Sequence, residues 1–135
     1  MWTCEVRVED GKYSVSALVV RCGRDVSVTV GGGECLHLGA GALAVPRPSL
    51  ADPAKTSASV SVLCVTGHKE DEFARRAAER LAAGLNCVVS VCAGVHIENA
   101  RPEELTRLAG NLNTLLDGVL EKLNEQPSGQ DSSAE

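Results

Sequence analysis

Aromatic residues are scarce in this chain of 135 residues, which contains one Trp, one Tyr and one Phe. Its hydrophobic core must therefore consist mainly of Val, Leu and Ala, without the large rings that anchor many cores and interfaces. The length is that of a single domain, and a domain of this size buries about two thirds of its unfolded surface. We predict one domain over residues 1–124, which needs neither a metal nor a disulfide.

Basic residues are also in deficit, because 13 Lys and Arg stand against 18 Asp and Glu and the formal net charge is -5. Nucleic acids and anionic membranes are bound by clustered Lys and Arg. The small basic group of Arg75, Arg76 and Arg80 is interleaved with acidic residues, which is typical of a solvated helix face. We therefore predict no nucleic-acid partner and no membrane partner.

Long apolar runs are missing as well. No stretch approaches the ~20 apolar residues of a membrane span, and residues 1–5 lack the basic and then apolar pattern of a signal peptide. We expect a cytoplasmic location, with a nuclear one also allowed. In such a compartment the six cysteines are expected to be reduced thiols.

Motifs that carry chemistry are absent, since the chain has no Cys-x-x-Cys, no Gly-x-Ser-x-Gly and no His-Glu-x-x-His. Cys35 and His37 have tolerable metal-ligand spacing, but no second pair follows at a recognisable distance. Cys22 lies beside Arg21 and Arg24 in a predicted turn, and a positive neighbourhood can activate a thiol. The alternative is an ordinary turn cysteine. We predict no catalytic residues, no cofactor and no metal.

The first part of the chain is predicted to be sheet. Apolar alternation indicates strands over residues 3–8, 12–21, 26–30 and 36–44. Asp10-Gly11 predicts a tight hairpin, and the glycine triplet at 31–33 predicts a second hairpin turn. The proline-rich segment 46–57 predicts a loop within the domain.

The second half, residues 58–123, is predicted to be strand, helix, strand and helix. The strand over 59–66 is apolar on both faces at its end, which indicates an interior strand. The first helix should start near residue 69 and end at Gly84, and the second strand covers 87–97. Pro102 followed by two glutamates starts the last helix, which runs to about 124.

These elements predict an α+β fold, with a mostly antiparallel sheet of five or six strands and two helices packed on it. The composition of residues 125–135 predicts a disordered tail.

The last helix is longer than a small sheet requires, at on the order of 30 Å. The C-terminal half of its apolar stripe is therefore a candidate partner interface, although the whole stripe could instead be intramolecular core. The interface residues are Leu115, Leu116, Val119, Leu120 and Leu123.

Several segments match a known pattern of elements over residues 13–120. They are Arg-Cys-Gly-Arg-Asp-Val-Ser-Val-Thr-Val-Gly at 21–31, the small residues at 40–44, Ser-Val-Leu at 61–63, Ala77 with Glu79 to Ala82, Asn-Cys-Val-Val-Ser-Val at 86–91, and the long last helix. In this order the chain resembles the proteasome assembly chaperone 3/4 family. The resemblance is one of element order and length, and the poverty of aromatics departs from an interface anchored by large rings.

The resemblance implies a non-catalytic binding protein. Its partners would be a second small assembly chaperone and the proteasome α subunits, whose ordering in the 20S ring it would assist. One alternative is a dimerising scaffold of the roadblock or longin type, although the roadblock order begins with a helix and this chain begins with strands. The other alternative is a small cysteine-dependent enzyme.

Overall fold

The computed structural model describes residues 1–65 and 70–126. Within these two ranges, six strands, two α-helices and one short 3-10 helix follow each other. They are β1 (Trp2–Val8), the 3-10 helix (Gly11–Tyr13), β2 (Val15–Cys22), β3 (Asp25–Gly33), β4 (Ala40–Pro48), β5 (Thr56–Cys64), α1 (Asp71–Leu85), β6 (Val89–His96) and α2 (Pro102–Glu125). The predicted α+β fold is confirmed.

The six strands form one sheet in the order β1-β2-β3-β6-β4-β5. Four neighbouring pairs are antiparallel, and β3 with β6 is the parallel pair. The sheet is therefore mostly antiparallel, as predicted. β5 lies at an edge, so its prediction as an interior strand is wrong. The apolar residues that suggested burial on both faces, Leu63 and Val65, are exposed.

Both helices cover the same face of the sheet. Val19 stands opposite Val28, Val28 opposite Val91, and Val91 opposite Ala42, and all four side chains are buried. α1 contacts β4, β5 and β6, whereas α2 contacts β1 and β2. We call this helix-covered side the inner face and the opposite side the outer face.

Small side chains allow α1 to lie close to the sheet. Its buried positions are four alanines and Leu81, and the buried positions of β4 beneath it are Ala40, Ala42 and Ala44. The helix ends with Asn86 in the left-handed conformation at φ 51°. Asparagine tolerates that conformation, so the stop lies at Asn86 and not at the predicted Gly84.

The candidate interface residues of α2 lie in the hydrophobic core. Leu115, Leu116, Val119 and Leu123 are at most 4% exposed, and Leu120 is partly buried against the same cluster. The sheet is wide enough for α2 to cover β1 and β2 while it also contacts α1. These side chains therefore pack intramolecularly in the chain by itself, and the outer face holds the exposed apolar surface instead.

The predicted hairpin at Asp10-Gly11 is confirmed, because β1 and β2 are antiparallel neighbours joined by residues 9–14. Its turn is a 3-10 turn instead of a tight one, and β2 starts at Val15 and not at residue 12. Contacts with α2 hold this turn. Arg107 Nε donates to the Asp10 carboxylate at 2.7 Å, and Asn111 donates to Asp10 at 2.9 Å.

Glu104 in the first turn of α2 is the buried polar anchor of this junction, with 6% of its surface exposed. Lys12 Nζ lies 2.8 Å from its carboxylate, the Tyr13 hydroxyl donates to it at 2.7 Å, and the backbone N–H of Arg101 donates at 3.1 Å. These contacts, with Lys12 first, hold the pKa of Glu104 well below its usual range. The ionised carboxylate therefore fixes the 3-10 turn to α2.

The glycine triplet continues β3 instead of forming a turn. Gly31 pairs with Ser16 and Gly94, and Gly33 is at φ +74° where the strand ends. A Cβ atom at Gly32 would lie 2.8 Å from the Val15 side chain, so a larger residue would collide with the neighbouring strand.

The proline-rich segment is less of a loop than expected. β4 extends to Pro48 and β5 starts at Thr56, so the connection covers 49–55. β4 pairs with β6 only at residues 40–44. Beyond residue 44, β4 can contain proline because no backbone N–H has to donate a hydrogen bond to β6 there.

Some predictions fall outside the described residues. They are the end of the strand at residue 66, the helix start near residue 69, and the disorder of the tail over 127–135. Within the described ranges, neither helix combines the length and apolar sequence that crossing a bilayer requires.

Candidate functional site

The outer face is uncovered by helix in the described part of the chain. Its strand residues are mostly small or hydroxyl-bearing, and they are Ser16, Ser27, Thr29, Gly31, Gly41, Ser59, Ser61, Ser90, Cys92 and Gly94. Among them stand exposed apolar side chains, with Leu18 52% and Leu63 83% exposed and with Leu43 and Val45 between them on β4. The exposed leucines make this face a candidate interaction site.

Charge is confined to the borders of the outer face in the strands described. Glu5 and Arg7 pair with each other at 2.6 Å on the edge strand β1. Arg47 near the end of β4 donates to Ser59 at 2.8 Å. The centre of the face can therefore be covered without desolvating a charged group.

A segment of chain, residues 34–39, crosses the outer face where the carboxyl ends of β3 and β6 meet. Glu34 N donates to the His96 carbonyl at 2.7 Å, and Gly39 N donates to the Ala93 carbonyl at 2.9 Å. A Cβ atom at Gly94 would overlap the carbonyl oxygen of His37. Glycine at that position is therefore what lets this crossing segment lie directly on the sheet.

A polar corner lies beside the crossing segment, made of His37, Glu70, His96 and Glu98. His37 Nε2 lies 2.7 Å from Glu70 Oε1, and His96 Nε2 lies 2.9 Å from Glu98. The two imidazole rings meet edge to face with centroids 6.4 Å apart. Glu70 also accepts the backbone N–H of Val95 at 3.4 Å. The corner therefore ties the crossing segment to the start of α1 and to β6.

An open cavity of about 390 Å³ lies between the crossing segment and the strands of the outer face. Most of its lining is apolar, with polar groups at the rim. The lining residues are Glu5, Ser16, Leu18, Thr29, Val30, Gly31, Leu36, His37 and Leu38. A second groove of about 490 Å³ adjoins it and shares Ser16 and Leu36.

The histidines and cysteines considered from the sequence lie at several separate places in the described part of the chain. Cys35 and His37 lie in the crossing segment and not on a strand, and Cys35 is exposed. Among the described residues, His, Cys, Asp and Glu form no group able to hold a metal ion. His68 lies outside the described ranges.

Cys22 stands far from the polar corner. It is exposed at the β2–β3 turn, whereas His96 pairs with Gly33 at the other end of the nine-residue β3. At ~3.3 Å per residue this separates them by roughly 26 Å. Burial raises the pKa of Cys87, and desolvation together with the nearby Asp71 carboxylate raises the pKa of Cys64, which is the opposite of activation.

Comparison with known proteins identifies the family. Residues 9–124 match the sequence model of the prenylated flavin chaperone LpdD-like domain. This chain belongs to the prenylated flavin chaperone LpdD-like family. The match spans nearly all of the folded domain, from the 3-10 turn to the last turn of α2. No curated protein sequence matches this member of the LpdD-like family.

The fold of this LpdD-like chain has a relative among solved structures. It is similar to a chain in the crystal structure of a novel chaperone complex for yeast 20S proteasome assembly, with a TM-score of 0.57 and 16% identity. The similarity covers 92% of this chain and 95% of that chain. The resemblance to proteasome assembly chaperones therefore holds for the fold, and the family itself is chaperone-like, which agrees with a non-catalytic role.

Proposed function

We propose that this protein is a non-catalytic chaperone for a prenylated flavin, which it holds for delivery to a protein client. The observation that carries the proposal is the family match over residues 9–124. A prenylated flavin is a flat flavin ring system enlarged by an apolar isoprenoid unit. A protein that shelters such a ring needs apolar surface and a few hydrogen-bonding groups, but no catalytic constellation.

The outer face meets these requirements. It offers exposed leucines among hydroxyl groups, and its charged residues stand at the borders. In the polar corner, His37 lies 2.7 Å from Glu70, and this contact fixes the crossing segment. We propose that the client protein contacts this face in the cytoplasm.

A binding titration tests the proposal. The purified chain is titrated anaerobically with reduced prenylated flavin and, separately, with the unmodified flavin, and binding is followed by absorbance and fluorescence. Saturable binding of the prenylated compound, tighter than that of the unmodified flavin, is expected because the isoprenoid unit adds apolar contact area. Absence of saturable binding at micromolar concentrations contradicts the proposal.

A second candidate function is proteasome assembly, which the likeness in fold to the yeast chaperone complex favours. In that case the chain pairs with a second small assembly chaperone and helps to order the proteasome α subunits. Affinity purification from its own cell lysate tests this function. Co-purification of α subunits together with a second small chaperone supports it, and a lysate with proteasomes in which neither is captured contradicts it.

A further inference from the structure

We infer that the flavin ring docks in the outer-face cavity under the crossing segment, against Leu18, Leu36 and Leu38. This inference rests on the proposed function and adds the location of the site. The three leucines come from β2 and from the crossing segment, and they are 52%, 73% and 61% exposed. Leucines that converge from separate elements around one cavity and stay exposed are suited to cover a flat apolar ligand.

The size of the cavity fits a ring system. Ligand pockets measure roughly 300–1,000 Å³, and about 390 Å³ places this cavity at the small end of that range. The adjoining groove of about 490 Å³ gives the polar side chain of a flavin a path away from the ring. The two grooves meet at Ser16 and Leu36, so one ligand can occupy both.

The floor of the cavity contains a glycine that lets a leucine side chain approach the sheet closely. A Cβ atom at Gly31 would lie 2.9 Å from Leu36 Cδ2, so glycine allows Leu36 to lie low over the sheet. Thr29, on the same face of β3, supplies a hydroxyl next to this glycine. A planar ring can therefore lie on the strands beside Leu36, against the leucines of the crossing segment.

The rim of the cavity provides hydrogen-bonding groups for the ring edge. Ser16 and Thr29 can both donate and accept, which suits the N–H and C=O groups of a flavin. His37 stands at the inner end, and its contact with Glu70 at 2.7 Å orients its ring before a ligand arrives. Such preorganisation reduces the entropy lost on binding.

A larger groove elsewhere in the described residues is less suitable. It measures about 670 Å³, lies between α1 and α2, and is lined by Arg75, Arg76 and Arg80 together with Glu79. Arg75 pairs with Glu79 at 3.3 Å, and Arg80 pairs with Asp117 across the helices. A neutral ring placed there would desolvate ion pairs without replacing their contacts.

Matched leucine variants test the site. Leu18→Gln removes apolar contact inside the cavity, whereas Leu63→Gln makes the same change on the outer face at the edge strand β5, outside the cavity lining. Leu38→Gln is a second cavity variant from the crossing segment, which keeps the test valid if Leu18→Gln fails to fold. The dissociation constant for reduced prenylated flavin and the Tm are measured for each.

The cavity variants are expected to bind about tenfold more weakly, since ~1.4 kcal/mol of lost contact corresponds to that factor. The Leu63→Gln variant should bind within about twofold of the native chain. Native-like binding by folded Leu18→Gln and Leu38→Gln overturns the inference and leaves the proposed function standing. Failure of the native chain to bind overturns the proposed function itself.

Discussion

The inner and outer faces belong to the same strands, yet they carry different kinds of side chain. On β2, Val15, Ala17 and Val19 are buried under α2, whereas Ser16 and Leu18 between them face outward and are accessible. The inner face holds the valines, alanines and leucines of the core. The outer face combines hydroxyls, glycines and isolated exposed leucines. Core packing therefore lies on one side of the sheet, and the exposed apolar strand residues lie on the other.

The difference also explains why so few aromatics suffice. Helix α1 lies on β4 through alanines on both partners, so the inner face is filled without large side chains. The outer face contributes little to that packing. Its leucines can therefore be replaced at small cost in folding energy, and this makes the comparison testable by mutation.

The largest expected effect is in the core. Leu115→Ala should lower the free energy of unfolding by about 2–5 kcal/mol, because the leucine is fully buried and leaves a cavity. Leu63→Ala on the outer face should change it by no more than about 0.5 kcal/mol. Urea unfolding monitored by circular dichroism measures both. Equal losses of unfolding free energy in the two variants would contradict the division between a packed inner face and an exposed outer face.

The second effect is at the crossing segment. Gly94→Ala should cost about 1–3 kcal/mol, because the new methyl group would overlap the backbone of His37 and force the segment off the sheet. Gly110→Ala on α2 is the matched control, since nothing lies within 4 Å of the added atom. That control should be neutral or up to ~1 kcal/mol more stable. A neutral Gly94→Ala would show that the segment does not lie against β6.

The third effect is a dependence on pH at the Glu104 junction. The pKa of Glu104 is lowered in the folded chain, so its contribution is complete above the ordinary value of 4.5 and is lost as pH falls toward the folded pKa. Glu104→Gln should lower the Tm at pH 7 and flatten the fall in Tm on acidification below pH 4.5.

Glu103→Gln is the control for that measurement, because its side chain is 68% exposed in the same helical turn. It should leave both the Tm and its acid dependence almost unchanged. A Glu104→Gln variant with the native acid profile would show that another carboxylate governs the acid transition.

The smallest expected effect is a difference in the rates at which the cysteines are labelled. Cys22, Cys35 and Cys64 are exposed, whereas Cys87 is buried and its pKa is raised by that burial. A thiol reagent at pH 8 should modify these three exposed cysteines first. Cys87 should be modified only at the rate at which the chain unfolds. Mass spectrometry of the labelled peptides measures the order. Rapid labelling of Cys22 well below pH 8 would favour the cysteine-dependent enzyme.

Local patterns in the sequence predicted much of the fold. The apolar periodicity of α2 and its start at Pro102 identify that helix, and alternation identifies most of the strands. The errors occur where distant contacts outweigh local preference. Gly31–33 stays in β3 because β2 and β6 lie close on both sides, and Asp10 forms a 3-10 turn because α2 binds it.

The candidate site was less predictable than the fold. His37 and Glu70 are 33 residues apart, and the antiparallel pairing of β4 with β5, which puts Ala40 opposite Cys64, brings their segments together. The apolar stripe of α2 suggested an interface because the sequence does not reveal that β1 and β2 extend beneath it. Exposed Leu36 and Leu38 gave the alternation of a strand, although they lie in the crossing segment.

Methyl NMR during a titration with reduced prenylated flavin is the sharpest test of docking on the outer face. We predict shifts at the methyl groups of Leu18, Leu36 and Leu38, with the core methyls of Leu81 and Leu115 unchanged. Shifts concentrated instead at Leu116, which lines the groove between the helices, with the three outer leucines unaffected, would contradict it.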